Sequence, residues 1–293
     1  MRTLPFGGDQ KLQHFDPELF ALLKKEENRQ RSGIELIASE NFAYGFVAEA
    51  LGSAFTNRSN LGFFKELSTD SLEELCKERA LKAFRADKNV WDVNVQPYSG
   101  SPANMAVYTG LLEPGAKLMG LNLTHGGHLT HGYFTPTRRV SASSIFWSST
   151  QYEAHLETGL IDYDALEAKA HEHKPKLIIS GFSAYTRDLD YARVKKICDS
   201  IGAYHMSDVA HISGLIAAQQ LRDPFPHSDI VTTTTHKSLR GPRAGMIFAR
   251  KHLMPDINNA VTKVIQGASF RNNIAAIATQ LKQVDSPEFK LYI

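Results

Sequence analysis

Short apolar runs ending in Gly, Ser, Thr or Asp alternate along most of this chain with stretches of helical spacing, and no other feature limits its fold as much. Val93 and Val95 mark one strand. Further strands are predicted over residues 117–121, 140–147, 177–180 and 203–206, the last running into Ser207-Asp208. Ile230, Val231 and the threonines after them are β-branched and read as another buried strand, and Gly245-Met246-Ile247-Phe248 starts the next. Helical patterns fall between. Ser71-Leu72-Glu73-Glu74 reads as a capping box, opening a helix with Leu72, Leu75, Cys76, Ala80, Ala83 and Phe84 on one face. Pro102 begins a second helix, and residues 162–170 and 191–200 read as two more. Asp16-Pro17 starts a short helix nearer the N-terminus, after a polar arm over residues 1–14. The alternation predicts an α/β domain with a largely parallel sheet flanked by helices. Ligands of such sheets sit at the carboxyl ends of the strands.

Polar residues at those ends are therefore the first candidates for function. Lys237 follows the threonine-rich strand, on a short connection that Gly241-Pro242 turns back. An amine partly desolvated beside His236, Arg240 and Arg243 should have a lowered pKa, and an unprotonated amine can form a Schiff base with an aldehyde. Taken alone, the stretch reads equally as a basic surface loop. Asp208 closes a predicted strand, where it suits a carboxylate facing a ring nitrogen or a cap for the next segment. Ser99-Gly100-Ser101 precedes a helix, so its backbone N–H groups suit an anion, although Ser-Pro is also an ordinary helix start. Gly126 and Gly127 let backbone approach a ligand closely, and His128 beside them could lie flat on a heterocycle. Histidines at 125, 128 and 131 could suggest a metal, but no carboxylate or cysteine joins them in the sequence. The expectation is no metal.

The chain has 293 residues, enough for a sizeable core. Its 33 Lys plus Arg against 31 Asp plus Glu, with no basic blocks, argue against nucleic acid as a partner. No apolar run is long enough to span a membrane. No apolar h-region follows Arg2, which argues against a secretory leader. Cys76 and Cys198 read as core residues in a reducing compartment.

Six segments, in order, resemble the serine hydroxymethyltransferases: LIASENF at 36–42, VNVQPYSGSPAN at 93–104, HGGHLTHG at 125–132, TGLIDY at 158–163, DVAHISGL at 208–215 and TTTTHKSLRGPR at 232–243. The resemblance covers most of residues 15–293. It implies the fold-type I, aspartate-aminotransferase-like architecture, with a mostly parallel seven-stranded sheet. It implies pyridoxal 5'-phosphate bound covalently to Lys237, and serine–glycine interconversion with tetrahydrofolate as one-carbon carrier. By motif position, Ser99, Gly100 and Ser101 would hold the cofactor phosphate, and His128 would stack on its ring. Asp208 would face the ring nitrogen and His211 a ring oxygen, with Ser183 and Arg243 completing the pocket. Thr234 and His236 would assist exchange and tune substrate choice. Ser39 would lie at the amino-acid substrate, while Leu123, Gly127 and Leu129 would contact the pterin. Thr232, Thr233 and Thr235 read as strand packing. The resemblance also implies a cytoplasmic homodimer or homotetramer.

Four departures qualify this. Residues 58–68 are shorter than the family's Tyr/Gly-rich stretch and lack its tyrosines, and Glu66, the only acid near enough in sequence, is not assigned the role of the family's catalytic glutamate. Gln266-Gly267-Ala268-Ser269 replaces a Gly-Gly segment that touches the neighbouring subunit's phosphate, and the segment between Arg250 and Ala260 is shortened. The chain ends at Ile293, where the family continues into a C-terminal domain with the carboxylate-binding arginine. The expected organisation is thus an N-terminal arm and helix over 1–40 and a cofactor-binding domain over 41–293, without the small domain. Alternatives to the transferase are a cofactor-binding relative of impaired activity, acting as a partner subunit, and a folate-independent aldolase of β-hydroxy amino acids.

Overall fold

The computed structural model of the chain describes residues 11–57 and 67–293. Most of the predicted N-terminal arm, the altered stretch up to residue 66, and Glu66 itself lie outside the described residues. The rest divides into two compact units between Glu40 and Asn41. In the first, α1 (Leu12–Phe15) precedes α2 (Pro17–Ser32). Asp16 caps α2 as predicted, accepting a hydrogen bond from Leu19 N at 2.9 Å, with Pro17 at the first helical position. No residue of α2 is buried.

The second unit carries α3 (Gly45–Leu51), α4 (Leu67–Ala83), β1 (Trp91–Asn94), α5 (Gly100–Leu111) and β2 (Lys117–Leu121). A small hairpin follows, β3 (Phe134–Thr135) and β4 (Arg138–Arg139), then α6 (Ala142–Phe146) and β5 (Ser148–Tyr152). Next come α7 (Tyr163–His173), β6 (Leu177–Gly181), α8 (Tyr191–Ile201), β7 (Tyr204–Asp208), α9 (Ser213–Ala217), β8 (Ile230–Thr234) and β9 (Gly245–Arg250). The unit closes with α10 (Met254–Asn259), α11 (Arg271–Val284) and α12 (Pro287–Tyr292). Seven strands form one sheet in the order β1-β9-β8-β7-β6-β2-β5. The run from β8 to β5 is parallel, and β9 is antiparallel to both of its neighbours. This is the predicted α/β architecture.

Alternation along each strand sorts side chains onto two helical layers. Ile230 and Ile247 pack with Val107 of α5 and Ile257 of α10, whereas their neighbours Val231 and Phe248 pack with Cys76 of α4 and Ile277 of α11. Further along, Ile178 joins Leu166 of α7 and Val194 of α8. Cys76 and Cys198 are both buried and free, as expected.

Four local predictions are corrected. Residues 140–147 do not form a strand. Ser141 accepts from Ser144 N and caps α6, so the strand begins only at Ser148. That strand, β5, is polar because it lies at the sheet's edge. Ser71 does not start α4, which begins at Leu67. A serine three residues before a glutamate is also an ordinary pair inside a helix, and it marks a start only where the preceding backbone is not helical. Leu75, assigned to the apolar face, is 39% exposed. α5 begins at Gly100, so Pro102 stands within its first turn, where the missing N–H has no partner to lose.

Candidate active site

The sheet topology brings the carboxyl ends of β6, β7 and β8 beside the N-terminus of α5. Ser99, Gly100, Ser101, Asn104, His128, Phe182, Ser183, Asp208, Ala210, His211, Thr234, His236, Lys237 and Arg243 line one pocket of about 200 Å³ there. Eleven of these fourteen are residues singled out from the sequence. Two glycines make the approach possible. A Cβ on Gly100 would stand 2.8 Å from Thr234 Cγ2, so α5 reaches the end of β8 only because that atom is missing. Gly126 has φ 101° and its carbonyl accepts from Ser183 N at 2.7 Å, which draws the 183 loop toward the pocket.

Asp208 ends β7 in register between Gly181 and Thr232. Its Oδ2 accepts from Asn104 Nδ2 at 2.8 Å and from His131 Nε2 at 2.9 Å, and its Oδ1 from Ala210 N at 3.2 Å. Burial opposes ionisation of this carboxyl, but the hydrogen bond and field of His131, joined by His128 and Asn104, outweigh it and hold the pKa well below the usual carboxylate range. Asp208 is not the cap of α9, whose cap position is Ile212.

The donors around it form one ordered chain. Thr232 Oγ1 donates to Asn104 Oδ1 at 2.7 Å. Asn104 Nδ2 serves Asp208 and also Thr130 Oγ1, at 2.9 Å. Thr130 Oγ1 is 2.7 Å from His128 Nδ1. Because that nitrogen also accepts from Thr130 N, the neutral His128 ring carries its proton on Nε2. His131 Nδ1 accepts from His128 N, which leaves Nε2–H to donate to Asp208. Sequence reasoning assigned no role to Asn104, Thr130 or His131, and took Thr232 for strand packing. Asn104 stands inside the quoted SGSPAN segment, one turn beyond Gly100, and that helical spacing was the available signal.

A premise about metals also changes. The chain folds a carboxylate onto the histidines, and ligand atoms of His128, His131 and Asp208 lie within 4.8 Å of one another. The hydrogen bonds just described already engage His128 Nδ1, His131 Nε2 and Asp208 Oδ2.

Lys237 lies on the β8–β9 connection, as predicted. Burial lowers its pKa most, Asp208 opposes this, and Arg243 adds to it. Arg240 is not part of that field. Its guanidinium turns away to Tyr44 and Tyr292. Burial likewise takes His128, His211 and His236 down to about 4, with help from His131 at the first, Lys237 at the second and Arg243 at the third. The His236 Nδ1 is buried without a hydrogen-bond partner among the described residues. Thr234 Oγ1 donates to Ala210 O at 3.2 Å and so ties β8 to the segment after β7.

The pterin candidates do not line this pocket. Leu123 opens a short 3-10 turn, Leu129 is 44% exposed, and Gly127 is packed where a Cβ would stand 1.9 Å from Leu121 O. The need for glycine at 127 is thus met by packing alone. Ser39 stands in a turn of the first unit.

A family model described as serine hydroxymethyltransferase matches residues 12–293. The chain is 52% identical to serine hydroxymethyltransferase 3, chloroplastic, of Arabidopsis thaliana over 99% of its length, and 51% identical to serine hydroxymethyltransferase 4 of the same plant over 100%. It is 50% identical over 97% of its length to serine hydroxymethyltransferase, cytosolic, of Oryctolagus cuniculus. It spans 57%, 67% and 63% of those three relatives. Because the match runs through every strand of the sheet and every residue lining the pocket, the chain belongs to the serine hydroxymethyltransferase family, whose fold is the type I architecture of pyridoxal-phosphate enzymes.

Proposed function

We propose that the second unit binds pyridoxal phosphate in the Lys237 pocket and serves serine–glycine hydroxymethyl transfer with tetrahydrofolate as carrier. The observation that carries this reading is the meeting of a buried, doubly bonded carboxylate, Asp208, with a desolvated lysine in one small pocket at the strand ends. The residues fit the group. A carboxylate held ionised suits a ring nitrogen that must stay protonated, and an amine of lowered pKa suits an aldehyde. The backbone N–H groups at the start of α5 suit a phosphate.

When bound, the cofactor supplies an electron sink for cleavage at the amino acid's Cα. The protein's share is positioning and proton control. Asp208, held ionised by its hydrogen bonds from His131 and Asn104, would keep a proton on the facing ring nitrogen. His128, unprotonated at neutral pH, offers a flat uncharged face. His211 contributes a second neutral imidazole to the same pocket. Thr234 and His236 line the same pocket as Lys237 and would guide substrate exchange. Arg243 lines the pocket and would orient the anionic groups entering it. Ser39 at the substrate, and Leu123, Gly127 and Leu129 at the pterin, are carried from the family motifs.

We further propose a homo-oligomer, a dimer or a tetramer, with Gly267-Ala268 giving a weaker phosphate contact than two glycines would. The relatives' names include both chloroplastic and cytosolic forms. The two free buried cysteines support a reducing compartment, and we favour the cytoplasm. Among the described residues no helix is long and apolar enough to cross a membrane.

The test separates binding from turnover. Mixed with pyridoxal phosphate, the protein should gain visible absorption, borohydride should fix the cofactor on Lys237, and Lys237→Ala should abolish both. Absence of any adduct would sink the reading. Serine cleavage that requires tetrahydrofolate supports the transferase. Cleavage without it supports the aldolase, and an adduct without turnover the impaired relative.

A further inference from the structure

The turn that carries Lys237 is held from outside the pocket by a second set of side chains. The Lys237 carbonyl accepts two hydrogen bonds, from Asn41 Nδ2 at 2.9 Å and from Arg240 N at 3.0 Å. The second closes a tight turn in which Arg240 adopts φ 58°, a left-handed conformation that a residue with a Cβ enters only against steric cost. Such a conformation persists where its surroundings over-determine it. Arg240 Nε donates to Phe42 O at 2.9 Å. Its guanidinium carbon lies 4.1 Å from the Tyr44 ring centroid and 4.4 Å from that of Tyr292, within cation–π reach of both. The Tyr292 hydroxyl donates to Asn41 Oδ1 at 3.1 Å, which returns the circuit to the residue holding the Lys237 carbonyl. Asn41, Tyr44, Arg240 and Tyr292 do not line the pocket.

We propose that Asn41, Arg240 and Tyr292 form a clamp, backed by Tyr44, that fixes the turn beneath Lys237, so that α12 governs the placement of the amine without touching its ligand. These are positioning residues, and the proposal rests on the reading of Lys237 as the aldehyde-binding group. A lysine amine ends a flexible four-carbon stem. Its reach into the pocket is only as well defined as the backbone at its root. If the turn opens, the stem can withdraw toward water, and the amine regains the solvation that its burial removes.

Two measurements test this. Hydrogen exchange of the turn amides Arg240 N, bonded to Lys237 O, and Gly241 N, bonded to Thr235 O at 2.7 Å, needs no cofactor. The rate at which borohydride-fixed pyridoxal phosphate accumulates on Lys237 reports the amine. Tyr292→Ala and Arg240→Gly should each speed exchange at the turn by about ten-fold, leave β7 and β8 unchanged, and slow attachment by about ten-fold. Arg240→Lys keeps the charge but not the planar fork, and should behave like Arg240→Gly. Glycine relieves the left-handed strain, so a wild-type Arg240→Gly would show that backbone conformation, not the clamp, sets the turn. Unchanged exchange in Tyr292→Ala, or faster exchange with unchanged attachment, would overturn the proposal. If the wild-type protein attaches no cofactor, the functional reading fails, and exchange alone decides whether the clamp holds the turn.

Discussion

Asn104 donates through Nδ2 to Oδ2 of Asp208 at 2.8 Å, and it does so from the first turns of the same helix whose N-terminus faces the pocket. One side chain thereby ties the anion-binding end of α5 to the carboxylate at the end of β7. The tie passes on through Asn104 Oδ1 to Thr232 of β8. Asn104 is 1% exposed, so nothing from solvent can replace it.

Replacing that residue should therefore cost more than a surface amide would. Asn104→Ala leaves the Thr232 hydroxyl and one side of a buried carboxylate unpaired, a loss of about 2–3 kcal/mol. Urea unfolding at pH 7 measures it. A change below about 0.5 kcal/mol would mean that water or a neighbour takes over the bonds.

Acid should weaken the fold well before its carboxylates titrate. His205 is fully buried between Ser180 Oγ at 2.7 Å and His227 O at 2.6 Å, and burial takes its pKa from 6.5 to about 4. The unfolded chain takes up that proton below about pH 6.5, whereas the folded chain refuses it until about pH 4, so stability falls as pH drops through that window. For His205 the slope is about 1.4 kcal/mol per pH unit. His128, His211 and His236 act in the same direction. Asp208, with its depressed pKa, adds stability present above the unfolded value of 3.8 and lost below it. Unfolding free energies between pH 7.5 and 4.5 should show the slope, and His205→Gln should reduce it by about 1.4 kcal/mol per pH unit. A flat wild-type profile contradicts the assignment.

Gly127 should tolerate no side chain. Its added Cβ would meet Leu121 O at 1.9 Å and Leu121 C at 2.7 Å, both of them backbone atoms of β2. Gly127→Ala should destabilise the protein by about 3 kcal/mol or more. Gly267 has nothing within 4 Å of its Cβ position, so Gly267→Ala should stay within about 0.5 kcal/mol. Thermal unfolding of the two variants side by side makes the comparison, and equal behaviour would refute it.

A buried ion pair whose two members do not line the pocket offers a further stability test. Arg271 Nη1 lies 2.8 Å from Glu73 Oε2, with the arginine side chain 3% exposed, and Gln96 Nε2 adds a bond to the same carboxylate at 3.0 Å. Glu73→Ala strands the guanidinium and should cost about 3–5 kcal/mol. Arg271→Met paired with Glu73→Leu should recover most of that in chemical unfolding. A double variant no better than Glu73→Ala would show that the loss comes from packing, not from the unpaired charge.

Much of the fold could be read from local pattern. The β-branched run before Lys237 and the apolar quartet after Gly245 each occur as a strand, since both are buried on two faces and need no polar alternation. Residues 140–147 misled for the opposite reason. Their composition suits a strand, but Ser141 finds a partner in Ser144 N and the local bond wins. The pocket was legible because its residues sit at strand ends and beside glycines, where few structural demands compete with chemistry.

By itself, the sequence determined the α/β class, the family and the set of residues at the strand ends, because each follows from local spacing or from motif order. Only the tertiary structure decided that Asn104 and His131 share one oxygen of Asp208, that Arg240 serves Tyr44 and Tyr292 and not the Lys237 field, and that Gly127 is required by β2. Those facts join residues that lie from 6 to 196 positions apart only through the strand order β8-β7-β6-β2 and the helices laid across it, for example Asn104 and Asp208 at a separation of 104. Side-chain hydrogen bonds are directional within a few ångströms. No pattern along the chain encodes which of many distant donors will arrive at that range.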